Sequence, residues 1–175
     1  MSASAEELNF KIVLSGTYWT KKPEFEILFN NQLMLGGTIN APSSSRGIVL
    51  LDGDSIQNTP EYQQSTLETF EFSCSVEPGE HVLGIRLVNK APGDTRGFVP
   101  GGWTRDLQLH VENISINDVD LHHLVYSEST YQFDSPQELD GHSVEFLKNC
   151  VSLGFNGTYQ LPIASPFYIW LLERL

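Results

Sequence analysis

Residues 24–35, EFEILFNNQLML, decide the fold. Phe25, Ile27 and Phe29 stand at every second position, the period of a strand with one buried face. Asn30 and Asn31 follow at once, and asparagine tolerates the left-handed backbone that a two-residue hairpin turn requires. The chain then returns through Leu33 and Leu35. The stretch predicts an antiparallel hairpin, which Gly36-Gly37 either ends or bulges.

The same period extends in both directions. Phe10, Ile12 and Leu14 predict a strand upstream. Downstream, Leu67, Phe70, Phe72, Cys74 and Val76 lead into Glu77-Pro78-Gly79-Glu80, and the return through HVLGIRLVN predicts a second hairpin. Leu107, Leu109 and Val111 share one parity, whereas Ile114 and Ile116 share the other, so a bulge is expected near Glu112-Asn113. Asn117-Asp118 should turn the chain toward Val119 and Leu121. Residues 40–66 read as loop around a short apolar run, Ile48 to Leu51, that could form an edge strand, and Asp52-Gly-Asp54 reads as a turn.

Strands, turns and the lack of an amphipathic helix before residue 135 predict an all-β fold, an antiparallel β-sandwich of the jelly-roll type. The tail reads differently. SPQELDGHSVEFLKNC, residues 135–150, has the look of one short helix, and SPFYIWLLERL of a last strand or a helical turn. The expected organisation is a sandwich domain over residues 1–130 and a short C-terminal arm of mixed structure over 131–175, packing on the sandwich or on a partner.

The 175 residues suffice for a real core, and 10 Lys+Arg against 22 Asp+Glu give a net charge of −12. That field repels phosphate backbones and anionic lipid, so neither nucleic acid nor membrane is an expected partner. No basic and apolar leader opens the chain and no run approaches 18 apolar residues, which predicts synthesis in a cytoplasm. Cys74 and Cys150 read as buried small hydrophobes rather than a bridge, and Asn113-Ile-Ser115 and Asn156-Gly-Thr158 as chance glycosylation patterns.

Chemistry concentrates in residues 89–106, a loop far longer than a hairpin connection, with four glycines, Asp94, Trp103 and Asp106. Tyr18, Trp19 and Trp103 could stack sugar rings or simply fill the core. Residues 117–123 hold two acids and two histidines, but adjacent histidines on an extended chain point apart, so a solvated turn is expected. No nucleophile elbow, phosphate loop or zinc motif is present, so no catalytic residue is assigned and no enzyme is expected.

The strand ending at Asn89, the glycine-containing loop, Arg105-Asp-Leu107 and the ending Ile114-Ser-Ile-Asn-Asp118 resemble the calcium-dependent xylan-binding carbohydrate-binding modules, which are jelly-roll sandwiches. The resemblance covers roughly residues 67–121. In that family an Asn-Asp pair and an Asp-Arg-Asn-Leu element hold calcium, through which sugar hydroxyls bind. Here Asn89, Arg105 and Leu107 match, while Lys90 replaces the acid of the pair, Thr104 the acid of the element and Asp106 its asparagine. What the resemblance implies is glycan binding, with host surface glycan as the ligand, through Asn89 and Arg105, and calcium as cofactor held by Asp94 and Asp106; Trp103 joins them as a ligand contact through its aromatic face.

A longer resemblance spans nearly the whole chain. Leu14-Ser-Gly-Thr-Tyr-Trp and Pro23-Glu-Phe-Glu-Ile, then Gly79 to Lys90, then Arg105-Asp-Leu, then Gly157 to Glu173 are similar, in that order, to uncharacterised virion proteins of tailed phages, particularly cyanophages. It implies a structural or adaptor role in the virion, at the neck, tail, fibre base or capsid surface, with other virion proteins as partners and a homo-oligomeric assembly. Phe167, Tyr168 and Trp170 belong to a terminal run too bulky for one face, so some of it should meet another body.

Overall fold

The computed structural model describes residues 4–40, 63–64, 67–99 and 102–175. Fourteen strands follow in chain order: Glu6–Tyr18 (β1), Glu24–Phe29 (β2), Gln32–Thr38 (β3), Gln63–Gln64 (β4), Glu68–Val76 (β5), Gly79–Leu87 (β6), Arg96–Val99 (β7), Gly102–Arg105 (β8), Gln108–Ile116 (β9), Val119–Asp120 (β10), Thr130–Leu139 (β11), His142–Lys148 (β12), Ser152–Leu153 (β13) and Gly157–Ser165 (β14). A 3-10 turn covers Pro92–Asp94, and two short helices cover Leu124–Ser127 (α1) and Phe167–Leu172 (α2). None of the helices among the described residues is long and apolar enough to cross a membrane.

Twelve of these strands form two six-stranded antiparallel sheets, the expected β-sandwich, and β7 and β8 pair with each other. In the first, β1 pairs β5 on one side and β9 on the other, β4 extends along its far end, and β10 and β13 pair β9. The second runs β12-β11-β14-β6-β2-β3. Alternation fixes the buried faces: Leu8, Phe10, Ile12 and Leu14 turn inward from β1, and Phe25, Ile27 and Phe29 from β2. Phe10 stacks on Phe72 at 4.6 Å and meets Phe29 of the other sheet at 5.4 Å, and Phe25 meets Phe70 edge-on at 4.6 Å. These rings join the layers.

The Asn30-Asn31 turn forms as predicted, with φ of 48° and 64°, and Asn117-Asp118 does the same with 50° and 63°. The bulge expected near Glu112-Asn113 is present: Val13 faces Asn113 and Leu14 faces Val111, so Glu112 is the extra residue. Ser15 Oγ donates to its carboxylate at 2.5 Å. Gly36-Gly37 does not end β3, which continues to Thr38; the bulge lies at Met34, and the Phe25 ring packs on Gly37.

Two expectations are corrected. β5 and β6 do not pair with each other: β5 pairs β1 over nine residues, and β6 lies between β14 and β2. The Pro78-Gly79 turn therefore carries the chain from one sheet to the other, a distinction alternation cannot register because both strands bury one face either way. The helix expected over 135–150 is instead the β11–β12 hairpin, turned at Asp140-Gly141 with φ of 50° and 79°. β11 and β14, from the segment expected as an arm, sit inside the second sheet, and only α2 and the last residues follow it. The edge strand at Ile48 to Leu51 and the turn at Asp52-Gly-Asp54 lie outside the described residues.

Candidate functional site

The loop that leaves β6 does not wander. Asn89 Oδ1 accepts the Glu24 N–H at 2.9 Å and its Nδ2 donates to the Lys22 carbonyl at 2.9 Å, fastening the loop's root to the start of β2. Asp94, at the 3-10 turn, is buried; its Oδ2 accepts the Ala91 N–H at 2.7 Å and lies 2.9 Å from Lys21 Nζ. Trp19 Nε1 donates to the Asp94 carbonyl at 2.7 Å, and Tyr18 is buried with its hydroxyl on the Asn40 carbonyl. Trp19 thereby ties the loop to the end of β1, while Tyr18, buried and bonded to Asn40, presents no platform. After the turn, β7 and β8 form a hairpin of their own, Phe98 opposite Trp103 and Arg96 opposite Arg105, and Asp106 returns to the body of the molecule.

Lys90 crosses the base of this excursion. Its ammonium donates to Asp106 Oδ1 and, at 2.7 Å, to the Leu107 carbonyl. Both side chains are nearly sealed from solvent, at 9% and 5% exposure. Asp106 Oδ1 also accepts from Thr95 Oγ1 at 2.6 Å and the Leu107 N–H at 2.9 Å, and its Oδ2 from Gln108 Nε2 at 2.7 Å. Burial pushes the Lys90 ammonium below the ordinary lysine range, with the Asp106 carboxylate pulling the other way.

A second loop closes the site from the far side. Asn156 Oδ1 accepts the Lys90 N–H at 2.8 Å and its Nδ2 donates to the Lys90 carbonyl at 2.9 Å, so one side-chain amide pairs that backbone as a strand would. The loop is itself held by Tyr131, whose buried hydroxyl accepts the Phe155 N–H at 2.9 Å and donates to the Phe155 carbonyl. Beside it β11 bulges: Gln132 faces Phe146 and Gln137 faces Val144, so residues between them swing out of register. On its other side Gly157 lets β14 approach β11 closely, since a Cβ there would lie 2.4 Å from the Gln132 carbonyl oxygen.

Between the two loops and the bulge lies a groove of about 430 Å³, lined by Lys90, Thr95, Asp134, Gln137, Phe155 and Asn156 among others. Phe155 presents a half-buried ring, Asp134 is paired with Arg86 at 2.7 Å, and Gln137 and Thr95 add polar groups. One aromatic side chain among several polar ones is a composition found in small-molecule sites.

No known protein-family model matches the chain, and no curated protein sequence matches it. Among solved structures it is similar to vCBM60 in complex with galactobiose, with 8% identity and a TM-score of 0.46 over 87% of this chain and 96% of that one. It is also similar to the selenomethionine form of vCBM60, described in connection with circular permutation between two families of calcium-dependent carbohydrate-binding modules. There the identity is 10% and the TM-score 0.47, over 88% of this chain and 89% of that one.

The residues singled out from the sequence divide in two. Asn89, Asp94 and Asp106 converge at the loop base, while Trp103 and Arg105 lie on β8, where only the backbone is described. Phe167 and Trp170 turn inward, 0% and 4% exposed, and Arg174 lies over the Trp170 ring at 4.8 Å, whereas Tyr168 stays half exposed. Glu6 Oε2 joins this corner to β1 by accepting from Ser165 Oγ at 2.7 Å and the Phe167 N–H at 2.9 Å. At residues 117–123, Asp120 accepts the His122 N–H and Asn113 Nδ2, each at 2.8 Å, as a turn does. Sequence reasoning passed over Tyr131, Asp134, Gln137 and Phe155. Asn156 drew notice only as a chance pattern, because nothing local marks it as a partner of Lys90.

Asp94 and Asp106 do not fit a calcium site. Calcium takes six to eight oxygens, whereas the Asp106 oxygens already accept from four groups and Asp94 is engaged by Lys21 and Ala91. Among the described residues no three His, Cys, Asp or Glu side chains gather as a metal-binding group.

Proposed function

We propose that this chain is a carbohydrate-binding module that takes a glycan in the groove between Lys90, Gln137 and Phe155 without catalysing a reaction on it. The observation that carries this reading is the groove's makeup. An aromatic ring suits the apolar face of a pyranose, and the polar groups of Thr95, Asp134 and Gln137 around it suit the hydroxyls at its edge. Its volume of about 430 Å³ lies in the range of small-molecule sites. A neutral glycan fits the net charge of −12 better than an acidic one.

The test is affinity electrophoresis of the purified protein through gels containing xylan, galactan or host polysaccharide, with calcium in one set and chelator in the other. Retardation by one of these glycans is expected, and Gln137→Ala should weaken it about tenfold, since one lost polar contact removes roughly 1.4 kcal/mol. Unretarded migration in every gel would overturn the reading.

A second reading, a virion-borne structural protein, is favoured by one observation. Tyr168, Ile169, Leu172 and Leu175 stand between 51% and 80% exposed around α2, a patch suited to a protein neighbour. The two readings are compatible, because a glycan-binding module can be carried on a phage particle. Incorporation of a protein truncated after Pro166 at full copy number would count against this contact.

A further inference from the structure

We infer that Lys90 is the built-in cation of the residue 89–108 loop: its ammonium holds the place that a free metal ion would otherwise need to fill. The inference stands apart from the glycan reading, since it concerns what organises the loop.

Three observations converge on it. Among the described residues Lys90 Nζ is held by oxygens, the Asp106 carboxylate and the Leu107 carbonyl, as a hard cation would be, with both side chains nearly sealed from solvent. It joins chain segments 16 residues apart, so it closes the whole β7–β8 excursion at its base. Among the described side chains each acid of the loop also has its own ammonium, Lys90 on Asp106 and Lys21 on Asp94, so a divalent ion at Asp106 would compete with the Lys90 ammonium for the same oxygen.

Asn156 supports the arrangement from outside. By pairing both backbone groups of Lys90 it fixes where the side chain begins, and the Asp106 carboxylate and Leu107 carbonyl hold its far end. A lysine stem tethered in this way supplies one positive charge at a set place without dissociating. The loop is therefore organised at any calcium concentration.

The test is thermal unfolding of the wild type and of Lys90→Ala, Lys90→Asp and the double variant Lys90→Ala/Asp106→Asn, each in EDTA and in calcium chloride. The wild type should melt within about 1 °C in the two buffers, because its cation is covalent. Lys90→Ala should melt about 10 °C lower in EDTA, the cost of leaving Asp106 buried and unpaired, and calcium should recover part of that loss. Lys90→Asp, with one more carboxylate, should gain more from calcium than Lys90→Ala does. The double variant, lacking both charges, should melt above the single alanine variant and ignore calcium. The inference is overturned by a wild type that calcium stabilises, by a Lys90→Ala protein as stable as the wild type, or by single variants that calcium leaves unmoved. The last outcome would reduce the pair to an ordinary buried ion pair. Should the single variants fail to fold in chelator, the double variant, which leaves no unpaired carboxylate, keeps the test decisive: it should fold in both buffers, and the single variants in calcium alone.

Discussion

Replacing Tyr131 by phenylalanine removes one oxygen from the core and should loosen the wall of the groove. Tyr131 is 1% exposed, and its hydroxyl both accepts from the Phe155 N–H and donates to the Phe155 carbonyl, so Tyr131→Phe leaves two backbone groups without that partner. Each hydrogen bond contributes about 1 kcal/mol net, and the stranded groups add desolvation cost, giving a loss of about 2–3 kcal/mol. For a chain of this size that lowers Tm by about 4–12 °C. With a urea slope of about 2 kcal/mol per M, the unfolding midpoint falls by roughly 1 M. The rings around it stay in place, since Phe133 packs edge-on against both Tyr131 and Phe155, so the slope should not change. The Phe155 amide should also lose protection in hydrogen exchange, ahead of the amides of β14. A Tyr131→Phe protein within 0.5 kcal/mol of wild type, with the Phe155 amide still protected, would refute the idea that this hydroxyl holds the loop (a threshold set at about the error of such measurements).

Two further perturbations probe the same region. Gly157→Ala would set a Cβ 2.4 Å from the Gln132 carbonyl oxygen and 3.0 Å from Phe133 Cα, both backbone atoms that cannot rotate away, so a loss of about 3 kcal/mol is expected in thermal unfolding. Alkali should unfold the protein as well, because burial pushes the phenols of Tyr131 and Tyr159 far above their ordinary range. Above about pH 10 the unfolded chain releases phenolic protons that the native state retains, so stability present below that pH is lost as pH rises, by about 1.4 kcal/mol per pH unit for each. Cys74 and Cys150, free thiols also pushed up by burial, add a loss of the same sign from about pH 9. Urea midpoints measured from pH 8 to 11 check the slope, and a midpoint that stays level past pH 10 would contradict it.

Local conformation is legible in the residue pattern. Alternation in residues 8–14 and 25–29 marks strands because a half-buried sheet leaves the same period whatever it pairs with. The asparagines at 30–31 and 117 mark primed turns because few other residues adopt positive φ at low cost, and the parity change after Val111 marks the Glu112 bulge because a strand cannot reverse its faces otherwise. Tertiary structure alone decided the partners. The Pro78-Gly79 turn reads as a hairpin in sequence and is a crossing between sheets in space, since hydrogen bonds to β1 and β14 are invisible to local pattern. The β11–β12 hairpin was hidden because apolar residues at 139, 144 and 147 suit a helix as well as a bulged strand.

The site divides along the same line. The long loop and its acids are legible in the sequence, but their chemistry depends on the sign and burial of one neighbour. Lys90 reads as a mismatch in a ligand motif; folded against Asp106 and held by Asn156, 66 residues away, it becomes the charge around which the loop closes. Side-chain oxygens spread over the chain carry no mark of the cation they will surround. Only the packing of the sheets brings them within reach of it, and only exclusion of water makes that charge decisive.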